Sequence, residues 1–330
     1  MLSLTGANAQ QKTFTNPILP SGADPYSTFH NGVYYYVNSS GHSLVLRKTK
    51  NLADLASAEK RTIWTAPKNT MYSQNVWAPE IHFIAGKWYI YFAADDGDNN
   101  NHRMYAVENT SQNPFEGNWE FKGKIASPSD KWAIDGNVFS VDDQLYMIWS
   151  GWEGDENGQQ EIYIAKMKNP LMIESARTKI SSPTYAWEKH NGGDPEVYVN
   201  EGPQFLEHDG ALFIVYSASG CWTDFYGLGL LRFKGNDLLN AENWTKSPDP
   251  IFTQSPERGV YAPGHNSFFK SPDGTQDWIL YHANDNPGDG CGGKRSPRMQ
   301  QIHWNDDGTP DLGIPVSRAT VLEIPSEKTF

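Results

Sequence analysis

The chain has 330 residues with 12 Trp, 29 Gly, 21 Pro and a net charge of −12, enough length for a sizeable core. An aromatic content of 13% with only 20% charged residues, beside so much Gly and Pro, reads as turn-rich all-β structure rather than helix. The acidic balance disfavours nucleic acid and polyanionic partners, which need a basic stripe, and no apolar run approaches the ~18 residues of a membrane span.

In chain order, residues 1–15 read as an N-terminal tail. Ala7-Asn8-Ala9 before Gln10 is an A-x-A pattern of the kind signal peptidase cuts, so the tail is expected to be the remnant of a signal peptide and the protein to be secreted or periplasmic. Residues 16–330 read as one domain. Five segments within it share a pattern: "GVYYYVNSSG" from Gly32, "GKWYIYFAADDG" from Gly86, "DQLYMIWSGWEG" from Asp143, "GALFIVYSASGCW" from Gly210 and "QDWILYHANDN" from Gln276. Each is a turn, then a short apolar run, then small polar residues, which is the signature of a fully buried strand. With Val33, Trp88, Leu145, Leu212 and Trp278 taken as equivalent, the repeats lie 55, 57, 67 and 66 residues apart. An all-β period of that length predicts a five-bladed β-propeller, one four-stranded blade per repeat. Cys221 and Cys291 make no metal pattern and no disulfide framework; whether they pair depends on the compartment.

A polar residue precedes each repeat: Asp24 in "GADPYSTFHNG", Glu80 in "VWAPEIHFIAG", Asp135 in "AIDGNVFSVDD", Glu201 in "NEGPQFLEHDG" and His265 in "YAPGHNSFFKSPDG". They fall 9, 8, 10, 11 and 13 positions before the equivalent hairpin residue. On the innermost strands of a propeller they would ring the axis. Singly, most have bland explanations. Asp before Pro and Asp before Gly are turn formers, a buried Glu can serve packing, and a lone His is more often core than ligand. A ring of buried charge is harder to excuse, because each member costs free energy unless paired or solvated.

Two carboxyl groups in different environments, one protonated and one ionised, are the equipment of glycoside hydrolysis. Trp77, Trp149, Trp152 and Trp222 stand at strand ends near the ring, where indole faces suit the C–H faces of a sugar. "GADPYSTFHNGVYYYV", "WAPEIHFIAGKWYIYFAADD", "AIDGNVFSVDDQLYMIWSG", "EGPQFLEHDGALFIVYSASG", "APGHNSFF" and "IHWNDDGTPDLG" together resemble glycoside hydrolase family 43, from about residue 16 to residue 314. The resemblance implies a five-bladed propeller with an axial active site and hydrolysis with inversion, in most members releasing α-L-arabinofuranose or β-D-xylose from plant polysaccharides. It implies Asp24 as general base, Glu201 as general acid and Asp135 as the carboxylate that orients the acid and raises its pKa. His265 resembles the family histidine that in many members meets water around a bound Ca²⁺ or other ion, so a structural cation on the axis is a candidate; the chemistry itself needs no cofactor. An arginine reaching the sugar corresponds to Arg295 or Arg298.

The stretches "SASGCWTDFYGLGLL" and "SPRMQ" look most like exo-acting α-L-arabinofuranosidases of that family, and the end of the sequence soon after the fifth repeat adds mild weight to arabinose. A β-xylosidase or endo-arabinanase is the alternative within the family, and a carbohydrate-binding propeller without catalysis is the alternative outside it. Retention of Asp24, Asp135 and Glu201 together argues against the last. Loops 69–75, 95–103 and 285–294 would shape the pocket. The expected partner is an arabinose-containing oligo- or polysaccharide met by a monomer, with no nucleic acid and no membrane insertion.

Overall fold

The computed structural model describes residues 12–193 and 197–327; the A-x-A pattern lies outside them. Five antiparallel sheets follow one another along the chain, and the first strand of each contacts the first strands of the sheets before and after it, closing a ring of five. These inner strands are Tyr26–His30, Gln74–Ile84, Ala133–Val141, Asn200–His208 and Tyr261–Lys270, in blades one to five. The all-β, five-bladed propeller read from the repeats is the observed fold. Blade three carries an additional strand, Thr178–Ser181.

The apolar repeats are the second strands, and they are unbroken because both faces of a blade are buried. Tyr34 and Tyr36 pack against Phe269, Trp278 and Leu280 of blade five, while Tyr35 and Val37 pack against Trp88, Ile90 and Phe92 of blade two. The same sharing forms a cluster at each of the other interfaces: two–three, three–four and four–five. Alternation along the strand therefore selects a neighbouring blade rather than core against solvent. Truncating one of these rings, such as Trp88 to Ala, would cost ~3–5 kcal/mol. The hairpin before the first repeat turns at Asn31-Gly32 with φ of 50° and 81°, the paired positive values that a two-residue turn matched to strand twist demands.

Strand pairing begins before residue 16. Thr13–Phe14 pairs with Leu322–Glu323, and the Asn16 side chain both donates to the Met299 carbonyl and accepts from the Met299 N–H at 2.8 and 2.9 Å. The two ends of the described chain thus close the ring between blades one and five.

Candidate active site

Four of the five inner strands are interrupted near their start, and the interruption aims side chains at the axis. The pairing register shifts between Trp77 and Glu80, Ile134 and Asn137, Glu201 and Gln204, and Gly264 and Ser267. These are β-bulges, which bend a strand and re-aim a residue. The bulged residues have positive φ: Ala78 at 43°, Asp135 at 58°, Gly202 at 53° and His265 at 46°, with Asp24 at 57° just ahead of its strand. For non-glycine residues that conformation costs ~1–2 kcal/mol each.

Hydrogen bonds from one blade to the next hold this strained ring. The N–H of Ala78 donates to Ser39 Oγ at 2.7 Å, that of Gly202 to Asp135 Oδ2 at 3.0 Å, that of His265 to Ser217 Oγ at 2.7 Å and that of Asp24 to His282 Nδ1 at 3.1 Å. His282 must be neutral to accept there, and burial followed by the Arg295 cation holds its pKa well below the usual imidazole range.

Asp24, Asp135, Glu201, His265 and Arg295 line one pit of about 490 Å³, within the ~300–1,000 Å³ typical of small-molecule sites. Arg295 Nη1 donates to Asp24 Oδ1 at 3.1 Å, Ser39 Oγ donates to Asp24 Oδ2 at 2.5 Å, and His265 Nδ1 stands 3.4 Å from Asp24 Oδ1. Burial alone would raise the Asp24 pKa, but His265, Arg295, His282 and the Ser39 bond overcome it and hold the carboxyl well below its usual range. Burial pushes Asp135 the other way, to about 7, with the Glu201 and Asp24 charges adding to it and His265 opposing. Burial also raises Glu201, against the pull of His265 and a hydrogen bond from Tyr226, whose hydroxyl donates to Glu201 Oε1 at 2.7 Å. Burial would lower the His265 pKa, but Asp24, Asp135 and Glu201 around it win and raise it. One carboxylate is fixed ionised, and the other two titrate as a pair that retains a proton.

The remaining wall is aromatic and rigid. Trp77 stacks on the His102 ring at 4.3 Å, and Trp132 stacks on Trp152 at 4.5 Å while its Nε1 donates to the Asn99 carbonyl. Trp222 stands on the rim, 42% exposed, next to a Cys221–Cys291 disulfide that ties the loop after blade four's second strand to the loop carrying Arg295.

Several expectations need correction. Glu80 is not in the pit. It lies two residues beyond the bulge and accepts from His82 Nε2 at 3.0 Å, Asn137 Nδ2 at 2.8 Å and Gln204 Nε2. The residue of blade two equivalent to Asp24 is Ala78. Trp149 is core between blades two and three and faces a separate cavity of about 210 Å³, because it sits mid-strand where both faces are covered. Trp152 backs Trp132 from beneath and is 1% exposed. Of the two arginines, Arg295 reaches the pit; Arg298, inside the following strand, is fully buried and paired with Asp285. Trp77, Trp222 and His265 line the pit. Tyr226, Trp132 and His282 were missed, since each resembles core until the blades are assembled. Among the described residues no group of three or more His, Cys, Asp or Glu side chains is arranged to hold a metal ion. His265 turns its Nδ1 toward Asp24 Oδ1.

The model of the glycosyl hydrolases family 43 matches residues 14–310. The chain belongs to glycosyl hydrolase family 43. An extracellular exo-α-(1→5)-L-arabinofuranosidase of Streptomyces avermitilis is 41% identical over 314 residues, covering 92% of this chain and 64% of that protein. The α-L-arabinofuranosidase 43 of Humicola insolens is 34% identical over the same shares of each chain. This family 43 chain thus spans 64% of the length of those relatives. Among solved structures, an α-L-arabinofuranosidase from Lactobacillus brevis superposes with a TM-score of 0.86 at 36% identity, over 93% of this chain and 98% of that one.

Proposed function

We propose that this family 43 chain is an inverting, exo-acting α-L-arabinofuranosidase that releases terminal arabinose from plant cell-wall arabinan or arabinoxylan and their oligosaccharides. The observation that carries the reading is the separation of protonation states within one pit. Asp24, held ionised by Arg295 and His265, is the general base. Glu201, raised by burial and oriented by Tyr226, is the general acid. Asp135, which keeps the shared proton up to about pH 7, keeps that side of the pit protonated and, through the Gly202 N–H, fixes the bulge beside Glu201. In the reaction, Asp24 takes a proton from water as its oxygen attacks the anomeric carbon. The glycosidic C–O bond breaks, and its oxygen takes the proton from Glu201. Base, acid and water balance the reaction without a cofactor. Relatives named as arabinofuranosidases over most of this chain support the sugar.

Relatives named extracellular and the disulfide support a place outside the cytoplasm, where the protein acts as a monomer on carbohydrate. No helix among the described residues is long and apolar enough to cross a membrane.

The test is hydrolysis of 4-nitrophenyl α-L-arabinofuranoside, 4-nitrophenyl β-D-xylopyranoside and α-(1→5)-arabino-oligosaccharides by wild type and Glu201→Ala, with the product followed by proton NMR. Release of single β-configured arabinose units by wild type is expected, with Glu201→Ala failing on the oligosaccharides, whose leaving group needs a proton. Preference for the xyloside would keep the residues and replace the sugar, internal cleavage of the oligosaccharides would make the action endo, and no turnover would leave a binding propeller.

A further inference from the structure

A second concavity of about 470 Å³ adjoins the pit and shares Trp222 with it; His190, Gly192, Asp224 and Phe225 line its other sides. Trp222 and Phe225 are 42% and 51% exposed, three residues apart on the loop that follows blade four's second strand. A single exposed ring needs no explanation, but two in one concavity beside a site are informative.

Both rings are held in place. Trp222 Nε1 donates to the Asn191 carbonyl at 2.9 Å. A Cβ on Gly220 would meet the Trp222 ring at 2.4 Å, and one on Gly192 would come within 3.3 Å of it, so the indole lies against two backbone segments that only glycine leaves open. Phe225 is stacked by His190, centroids 4.1 Å apart at 17°. The loop is tied to blade five's loop twice, by Cys221–Cys291 and by the Gly288 N–H donating to Asp224 Oδ1 at 2.8 Å. Fixed, solvent-facing aromatic surface is what a weakly apolar ligand face needs, since little ordering cost remains at binding.

The position relative to the proposed acid says which ligand. The same loop carries Tyr226, whose hydroxyl holds Glu201, and Glu201 is on blade four's own inner strand. The oxygen that Glu201 protonates belongs to the leaving group, so the leaving group departs over blade four, whereas Asp24 delivers water from blade one. We infer that the Trp222–Phe225 groove is the binding site for the glycan on the leaving-group side, taking the sugar units next to the arabinose being cut, with their C–H faces on the two rings. The inference rests on the assignment of Glu201 as acid. It makes the natural substrate an oligomer or polymer rather than a small glycoside, and it gives the disulfide a positioning role in holding the groove against the pit.

The experiment compares kcat/KM for 4-nitrophenyl α-L-arabinofuranoside, α-(1→5)-arabinobiose and α-(1→5)-arabinotetraose in wild type, Phe225→Ala and Phe225→Tyr. Wild type is expected to favour the tetraose over the biose. Phe225→Ala should lose roughly tenfold more on the tetraose than on the aryl glycoside, the size of one aromatic contact, and Phe225→Tyr should recover most of it. The aryl glycoside also reports that the variant is folded. In parallel, arabinotetraose is titrated calorimetrically into Glu201→Gln with and without Phe225→Ala, where a Kd weakened roughly tenfold is expected. Equal losses on long and short substrates, or an unchanged Kd, would overturn the groove. Failure of wild type to cut any arabinoside would instead sink the reading of the pit, and the titration alone would then decide the groove.

Discussion

Two sets of buried polar groups sit on the same inner strands, a few residues apart, and they behave oppositely. In the pit, Asp24 is driven down, Asp135 and Glu201 are driven up, and among the described residues no donor apart from Gly202 N–H and Tyr226 reaches the raised pair. Two positions deeper, Glu80 accepts from His82, Asn137 and Gln204, gathered from blades two, three and four. Beyond the axis, Glu188 is likewise saturated, by Lys246, Tyr216, Asn200 and the N–H groups of Thr184 and Tyr185, and despite its burial these hold its pKa down. Burial is common to all of these carboxylates. What separates the proton-holding pair from the scaffold carboxylates is how completely each one's lone pairs are occupied.

The largest effect expected from that contrast is at Asp24. Asp24→Asn keeps a residue that tolerates the φ of 57° and removes only the proton acceptor, so kcat should fall by ~10²–10⁴ on every substrate. A fall confined to KM would leave Asp24 a binding group. Glu201→Gln should lose a comparable ~10²–10⁴ on arabino-oligosaccharides, yet far less on 4-nitrophenyl arabinoside, whose leaving group departs as an anion. Equal losses on both would remove Glu201 from the role of acid. The pH profile follows from the same groups. Because Asp24 is ionised far into acid, kcat/KM should show no acid limb of its own near pH 5. It should fall about tenfold per pH unit once the Asp135–Glu201 pair loses its proton, near pH 7. A symmetric bell centred near pH 5 would contradict the assigned protonation.

Glu80→Gln addresses the other half of the comparison. A glutamine presents an amide N–H₂ to partners that are all donors toward Glu80, leaving at least one buried donor unpaired at ~1–3 kcal/mol. Thermal unfolding should move down accordingly, while kcat/KM changes far less than in either pit variant. Loss of activity without loss of stability would return Glu80 to the site.

The repeat was legible because each blade's second strand touches two neighbours, and "VYYYV", "WYIYFAA", "LYMIW", "LFIVYSA" and "WILYHA" therefore lack the polar alternation that would blur them. Asp24, Asp135, Glu201 and His265 were legible as members of a ring. Glu80 was not separable from them by counting, since its offset of 8 positions lay close to the others. A finer signal was present: Asp24-Pro25, Ala78-Pro79, Asp135-Gly136 and Gly202-Pro203 put a Pro or Gly immediately after the residue with positive φ in blades one to four, where a proline's missing N–H is harmless, and that dipeptide marks Ala78. Arg295 and Arg298 differ by three residues, and which one faces the axis depends on where the strand begins, at Ser296. Trp149 and Trp132 cannot be told apart by composition; one lies mid-strand and the other just ahead of a strand, facing the pit.

Asp135 gives the smallest and most discriminating prediction, because it sets stability against activity within one residue. In the unfolded chain an Asp loses its proton near pH ~4, whereas in the fold Asp135 keeps it to about 7. Between those values the native state binds a proton that the unfolded state does not, so wild-type stability should fall as pH rises, with the loss complete above about 7. Asparagine carries no charge to bury, tolerates the φ of 58°, and still offers an oxygen to the Gly202 N–H. Asp135→Asn should therefore be inactive and yet more stable than wild type at pH 8, by ~1–3 kcal/mol, with the gain vanishing near pH 4. A chemical-denaturation series across that range measures it. A variant that is less stable at pH 8, or one whose stability declines with pH as steeply as wild type, would mean that Asp135 is a satisfied structural carboxylate like Glu188 and that the raised proton resides elsewhere in the pit.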